Sequence, residues 1–134
     1  MQERLTFDSE PLIAYFLGEP GGEIVKGLLF RIQRKEAEGF INVINLTEVY
    51  YILYRLNPLG AEESCRLLSS FGLTILPIED DDLWYDAAKI KARHPLSLAD
   101  AFAVATAEKQ KSTLVIGSDK EYDGLTAKLL KIRP

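Results

Sequence analysis

Acidic side chains recur where the apolar segments of this chain end. Asp8 follows the run LTF, Asp119 follows the run TLVIG, and Glu48 and Asp100 stand early in two segments of helical character. Carboxylates brought within a few ångströms repel one another unless a cation lies between them. Oxygen ligands without histidine or thiolate select Mg²⁺ or Mn²⁺ over zinc. These acids therefore indicate a Mg²⁺ site, with Mn²⁺ as a substitute.

Each acid also has a plainer interpretation as a helix cap. The tetrads NLTE at 45–48 and SLAD at 97–100 both match a capping box, in which the last residue reaches back to the cap. Asp8 and Asp119 could equally cap the turns that follow them. Their joint placement at successive element junctions favours a shared site. Asp123 follows Asp119 by one helical turn and would face the same way if DKEYDGL were helical.

The elements that would position these acids alternate between strands and helices. Apolar and β-branched runs predict strands at 5–7, 40–44, 73–78 and 113–117, and KLLKI near the end predicts an edge strand. Amphipathic spacing predicts helices at 9–18, 23–38, 45–57, 61–71, 80–93 and 97–110, with Asn45 capping the third and Pro58 closing it.

This alternation predicts the α/β class. Strands separated by helices form right-handed crossovers, so we expect a mostly parallel central sheet of about four to five strands with helices on both faces. No repeat, low-complexity tract or linker divides the chain, so one domain is expected over residues 1–134. Ligands of such sheets bind at the carboxyl ends of the strands, which is where the acids are expected.

Composition limits the classes of function. The 134 residues include a single cysteine, Cys65, which excludes an intrachain disulfide and a cysteine-based zinc ribbon and favours a cytoplasmic protein. The N-terminal MQERLTFDSE is charged where a signal peptide is apolar, and no long apolar run indicates a membrane span. The formal net charge of -4 excludes a broadly basic nucleic-acid coat. A phosphodiester substrate remains compatible, because a bound metal supplies positive charge.

Together with their flanking residues, the acids resemble the PIN-domain family, and within it the small VapC-type toxins of toxin–antitoxin pairs. The matching stretches are LTFDSEPLIAYFLGEPG, NLTEVYY, PLSLADAFAVATAEK and TLVIGSDKEYDGL, and the resemblance covers the whole chain. It implies a catalytic, metal-binding set with a less uniformly used fifth acid, in chain order Asp8, Glu48, Asp100, Asp119 and Asp123.

The resemblance also implies supporting residues and one departure. Ser9 matches the small hydroxyl residue that follows the first aspartate. Gly117 stands where the family often carries Thr or Ser, and the adjacent Ser118 could substitute for that hydroxyl.

The implied activity is that of a Mg²⁺-dependent endoribonuclease in which water attacks the phosphodiester and leaves 5′-phosphate and 3′-hydroxyl ends. The implied partners are an RNA substrate, a cognate VapB-type antitoxin and a second copy of the chain in a homodimer. Lys89, Lys91 and Arg93 in KIKARH are candidate RNA contacts, although a solvated helix face is the favoured explanation of their spacing.

Two other classes of protein compete with this interpretation. A catalytically silent PIN-like module could keep the acids and bind RNA or protein without hydrolysis. An aspartyl-phosphate phosphohydrolase would need a second aspartate two residues after its nucleophile, and Glu10 occupies that position relative to Asp8. The intact set of acids favours the nuclease over both.

Overall fold

A parallel β-sheet forms the centre of the protein in this computed structural model, which describes residues 2–118, 122 and 124–134. The described strands are β1 (Glu3–Phe7), β2 (Ala37–Asn42), β3 (Thr74–Leu76), β4 (Thr113–Ile116) and β5 (Leu129–Lys131). Their order across the sheet is β3-β2-β1-β4-β5, and every pairing is parallel. The central β1 therefore directs the residue that follows it, Asp8, into the middle of the carboxyl edge.

Helices connect these strands. The described residues form α1 (Ser9–Leu17), α2 (Gly22–Gln33), α3 (Val43–Leu56), α4 (Pro58–Phe71), α5 (Asp81–Arg93) and α6 (Leu98–Lys109). None of these helices is long and apolar enough to cross a bilayer.

The apolar core lies on both faces of the sheet. Val115 of β4 packs in a cluster with Leu5 and Phe7 of β1 and with buried residues of α1 to α4. The residues on either side of it, Leu114 and Ile116, pack in a second cluster with α6. Successive side chains of a strand point to opposite faces, so both faces are covered by helices. The predicted α/β class, parallel sheet and two helical layers are confirmed.

Several predicted boundaries are wrong. β2 covers 37–42 instead of 40–44, because the Asn42 side chain accepts a hydrogen bond from the Ile44 N–H at 2.7 Å and so begins α3. Asn45 is therefore inside the helix and does not cap it. α3 ends at Leu56 and its C-cap Asn57 immediately precedes Pro58, as predicted, but Pro58 also opens α4, since a helix tolerates proline in its first turn, where no backbone N–H is needed. The second helix ends at Gln33, five residues early.

Candidate active site

Among the predicted acids that the structure describes, Asp8 is the most deeply buried. It directly follows β1, is 3% exposed, and caps α1 by accepting a hydrogen bond from the Ser9 N–H to its Oδ1 at 2.8 Å. The capping and ligand interpretations are thus compatible at this position, because a carboxylate oxygen keeps a second lone pair after it accepts one hydrogen bond.

Asp100 approaches Asp8 from the other face of the sheet. It lies in the first turn of α6, which begins where the Ser97 Oγ accepts a hydrogen bond from the Asp100 N–H at 3.1 Å. Burial, reinforced by the nearby Asp100 charge, raises the pKa of Asp8 to about 8, although hydrogen bonds from Tyr122 and the Ser9 N–H act in the opposite direction. Two carboxylates with this mutual repulsion form a place where a cation would be stabilised.

Asn45 links the two acidic elements. Its Nδ2 lies 3.0 Å from the Ala99 carbonyl, one residue before Asp100, and 3.4 Å from Oδ1 of Asp8. The side chain is fully buried, and its Oδ1 has no hydrogen-bond partner among the residues that the structure describes. An unsatisfied buried acceptor is costly, so this amide oxygen is suited to a ligand group or a water held at the site.

Glu48 joins the site through Ser9. It follows Asn45 by about one helical turn on α3, so the two side chains lie on the same side of that helix. The Ser9 hydroxyl donates a hydrogen bond to Glu48 Oε1. Glu48 is half-buried, so its carboxylate is held at the rim while remaining accessible to solvent.

Tyr122 provides a second anchor for Asp8. Its ring is 1% exposed, and its hydroxyl donates a hydrogen bond to Oδ2 of Asp8. Burial, followed by the Asp8 charge, raises the pKa of the Tyr122 hydroxyl far above its ordinary value, so the phenol keeps its proton and acts as a donor.

The position of Gly117 brings another acid near this edge. A Cβ atom at residue 117 would collide with the carboxylate of Glu10, which occupies the space beside the glycine. Arg133, just after β5, pairs with the same Glu10 carboxylate and also donates to the Pro20 carbonyl at 3.2 Å. A hydroxyl side chain at 117 would therefore displace Glu10.

The remaining predicted residues lie apart or outside the described chain. Asp119 and Asp123 fall outside the described residues, while Ser118 is half-buried two residues beyond β4. In the described ranges 2–118, 122 and 124–134, no group of three acidic, histidine or cysteine residues could hold a metal by itself. The described part of the set therefore consists of the Asp8–Asp100 pair and the nearby Glu48.

The candidate RNA contacts lie on the surface of α5. Lys89, Lys91 and Arg93 are all exposed, and Arg93 ends the helix just before the loop that leads to α6 and Asp100. None of the described hydrogen bonds or ion pairs joins them to Asp8, Glu48 or Asp100.

The residues present fit a hard divalent cation. Asp8 and Asp100 supply paired carboxylate oxygens, Asn45 supplies a buried acceptor that has no partner within the described ranges, and Glu48 supplies another carboxylate nearby. Such an all-oxygen donor set matches Mg²⁺ or Mn²⁺, and the like charges of Asp8 and Asp100 would be neutralised by that ion.

Sequence reasoning missed the polar residues that support these acids. The match of NLTE to a capping box predicts a cap at Asn45. The spacing of one helical turn between Asn45 and Glu48 is the sequence feature that could have indicated a shared site. Tyr122 gives no local signal, because its contact with Asp8 spans 114 positions along the chain.

Paired carboxylates at the carboxyl edge of a parallel sheet define an α/β protein with an acidic candidate site. Comparison with known protein families identifies the family. The PIN domain family model matches residues 5–128. The chain belongs to the PIN domain family. No curated protein sequence matches it significantly.

Solved toxin–antitoxin structures share this fold. A toxin–antitoxin complex from Klebsiella pneumoniae superposes with a TM-score of 0.75 at 20% identity, over 96% of this chain and 97% of that chain. VapBC2 from Rickettsia felis, bound to a promoter DNA fragment, gives 0.78 at 14% identity, over 96% and 98%. VapC20 from Mycobacterium tuberculosis, a sarcin-ricin loop cleaving toxin, gives 0.66 at 17% identity, over 82% and 86%. At these identities the likeness establishes the fold.

Proposed function

We propose that this protein is a Mg²⁺-dependent endoribonuclease and the toxin of a VapBC-type pair. One observation carries the proposal: Asp8 and Asp100 interact at the carboxyl edge of a PIN-domain sheet, with Asp8 nearly inaccessible to water. A buried carboxylate beside a second one is unfavourable in a purely structural role, whereas it is expected of a cation site.

Asp8, Asp100 and Glu48 are proposed to hold the principal ion, and Asp119 and Asp123 to complete its ligands or to form a second site. When bound, a divalent cation supplies hydroxide at neutral pH and offsets charge on the phosphodiester during in-line attack. Ser9 holds Glu48 at the rim through its hydroxyl and orients Asp8 through its N–H. Ser118 is proposed to contribute the hydroxyl that Gly117 lacks.

The proposed substrate is RNA. Support comes from the PIN-domain fold and from the similarity to VapC20, a toxin that cleaves the sarcin-ricin loop. Because the proposed nucleophile is water, the 2′-hydroxyl is not needed chemically, so selection of RNA depends on shape and contacts. The exposed Lys89, Lys91 and Arg93 are proposed to contact its phosphates.

The proposed partners are a VapB-type antitoxin and a second copy of the chain, in the cytoplasm. The solved toxin–antitoxin structures of the same fold support the antitoxin. Large apolar side chains exposed on α3 and α4 offer area for such contacts: Tyr51, Tyr54, Leu56 and Leu59. Light scattering on the purified protein at several concentrations tests the dimer directly.

Cleavage of a mixed RNA pool tests the nuclease. Purified protein is incubated with Mg²⁺, with Mn²⁺ and with EDTA, beside the variants Asp100→Asn and Asp86→Asn. Asp86 is an exposed acid on α5, so its amide variant is matched in chemistry and removes no charge from the site. We expect cutting with either cation by the wild type and by Asp86→Asn, and none with EDTA or by Asp100→Asn.

Other outcomes assign the protein differently. Equal cutting by the wild type and Asp100→Asn, with or without EDTA, would contradict the proposed metal-dependent site. RNA binding without cutting, under conditions in which the cation binds, would favour the silent PIN-like module.

A further inference from the structure

Tyr122 combines an enclosed ring with a polar contact inside the site. The ring packs in the apolar cluster between β4 and α6, and its buried neighbours there include Leu96, Val104, Leu114 and Ile116. The hydroxyl emerges from this cluster onto Oδ2 of Asp8. Packing on this scale fixes the ring, so the position of the hydroxyl is set by the core and not by the site.

The two oxygens of Asp8 are held by different parts of the protein. Oδ1 accepts from the Ser9 N–H at 2.8 Å, and Oδ2 accepts from the Tyr122 hydroxyl. Asn45 Nδ2 also lies 3.4 Å from Oδ1. The torsion of a carboxylate about its last bond is otherwise broad, so donors on both oxygens are what set its plane. Oδ2, whose described donor is the Tyr122 hydroxyl, keeps a free lone pair for a cation.

We propose that Tyr122 is a positioning residue for cation binding, which fixes the Asp8 carboxylate in the orientation that faces an ion shared with Asp100. This inference rests on the proposed function, since it needs the cation site to exist. Hydrogen-bond donors behind metal ligands orient them, and their loss typically weakens metal affinity or activity by about 10- to 100-fold.

The geometry favours positioning over competition with the ion. A hydroxyl that merely filled the cation's place would have to withdraw when the ion binds. The ring of Tyr122 is 1% exposed and enclosed by the core, so withdrawal would require repacking. The hydroxyl is therefore expected to stay on Oδ2 in the metal-bound protein.

Direct Mn²⁺ binding by Tyr122→Phe tests the inference without RNA. The variant keeps the ring and removes the hydroxyl. Mn²⁺ binding is measured by calorimetric titration and, independently, by electron paramagnetic resonance of the unbound Mn²⁺. Both methods should give Tyr122→Phe a dissociation constant for Mn²⁺ at least about tenfold above that of the wild type. Tyr85→Phe is the matched control, because Tyr85 is 51% exposed and stacks on Trp84 of α5; its affinity should equal that of the wild type.

Two further measurements separate positioning from a change in stability. For each protein, the thermal unfolding midpoint in EDTA is subtracted from the midpoint in Mn²⁺. Because each variant is its own reference, a small loss of stability is not mistaken for weaker Mn²⁺ binding. In the cleavage assay, Tyr122→Phe should need at least about tenfold more Mg²⁺ for half-maximal rate and keep the wild-type KM for RNA.

Three results would overturn the proposal. Unchanged Mn²⁺ affinity in Tyr122→Phe would mean that the hydroxyl only satisfies a buried carboxylate, and tighter binding would mean that it competes with the ion. Absence of Mn²⁺ binding to the wild type would remove the site altogether. Weakened Mn²⁺ binding in a protein that never cuts RNA would instead retain this inference and reject the proposed nuclease.

Discussion

The hydroxyl of Ser9 donates a hydrogen bond to Oε1 of Glu48, joining the first turn of α1 to α3 beside the buried Asp8. Since the Ser9 N–H also binds Asp8, one residue holds two acids of the candidate site through two different groups. This arrangement makes the serine hydroxyl and the serine backbone separable by mutation.

Ser9→Ala should reduce cleavage while leaving Asp8 in place. The backbone N–H remains, but Glu48 loses its donor, so we expect a fall of about tenfold at limiting Mg²⁺ and partial recovery at high Mg²⁺. Initial rates over a Mg²⁺ series measure the effect. Thr47→Ala is the control, because it removes an exposed hydroxyl from α3 that binds the Val43 carbonyl. An equal loss in both variants would assign the effect to α3 stability.

Asp8→Asn should abolish cation-dependent cleavage without unfolding the protein. The amide oxygen can still accept the hydrogen bond of the Ser9 N–H, and the amide NH2 can donate to the oxygen of the Tyr122 hydroxyl, but the side chain lacks the charge that binds the cation. We expect the cleavage rate to fall at least about 100-fold, because about 100-fold is the upper limit for residues that only orient metal ligands and Asp8 is proposed to be a ligand itself. Single-turnover cleavage beside circular dichroism measures both properties. Retained activity, or a variant that does not fold, would favour a purely structural role.

The raised pKa of Asp8 predicts a distinctive pH dependence in EDTA. Asp8 titrates near 8 in the folded protein against an ordinary value of 3.8, so between these values the folded chain holds a proton that the unfolded chain has lost. This contribution to stability is complete below about pH 4 and is lost as the pH rises to about 8, with a slope of up to about 1.4 kcal/mol per pH unit.

Urea unfolding of wild type and Asp8→Asn across that range checks the sign. The advantage of Asp8→Asn in free energy of unfolding should grow with pH while metal is absent. Mn²⁺ added at pH 8 should reverse the order, since it binds the folded wild type and not the variant. An advantage that stays constant from pH 4 to pH 8 would contradict the burial of an ionisable Asp8.

The sequence was sufficient for the fold class and for the acids that end predictable elements. Asp8 follows an apolar strand and Asp100 opens a helix marked by Ser97, so local pattern placed both at one edge. The β-branched residues Val43 and Ile44 made the predicted end of β2 wrong, because the Asn42 cap and the packing of α3 outweigh strand propensity at these two positions.

The supporting contacts could not be predicted in this way. Tyr122 reaches Asp8 across 114 positions, and Asn45 reaches the Ala99 carbonyl across 54. Neither pairing follows from local periodicity, since both depend on how α3, α6 and the segment after β4 converge in three dimensions. The placement of Asp8 and Asp100 at one edge of the sheet thus follows from element ends, whereas the contacts that orient them depend on packing.

Gly117→Ala should disturb Glu10 and not the backbone at residue 117. A Cβ there would collide with the Glu10 carboxylate and separate it from Arg133. Because that pair is partly exposed, with side chains 44% and 24% accessible, the loss should stay below about 1 kcal/mol.

A double-mutant cycle isolates this cause. In a Glu10→Ala background the collision is absent, so Gly117→Ala should then cost nothing, and the coupling energy should equal the single-variant loss. Urea unfolding of the four proteins measures it. If Gly117→Ala still lowers the free energy of unfolding when the Glu10 carboxylate is absent, glycine is required for the backbone conformation at residue 117 and not to leave room for Glu10.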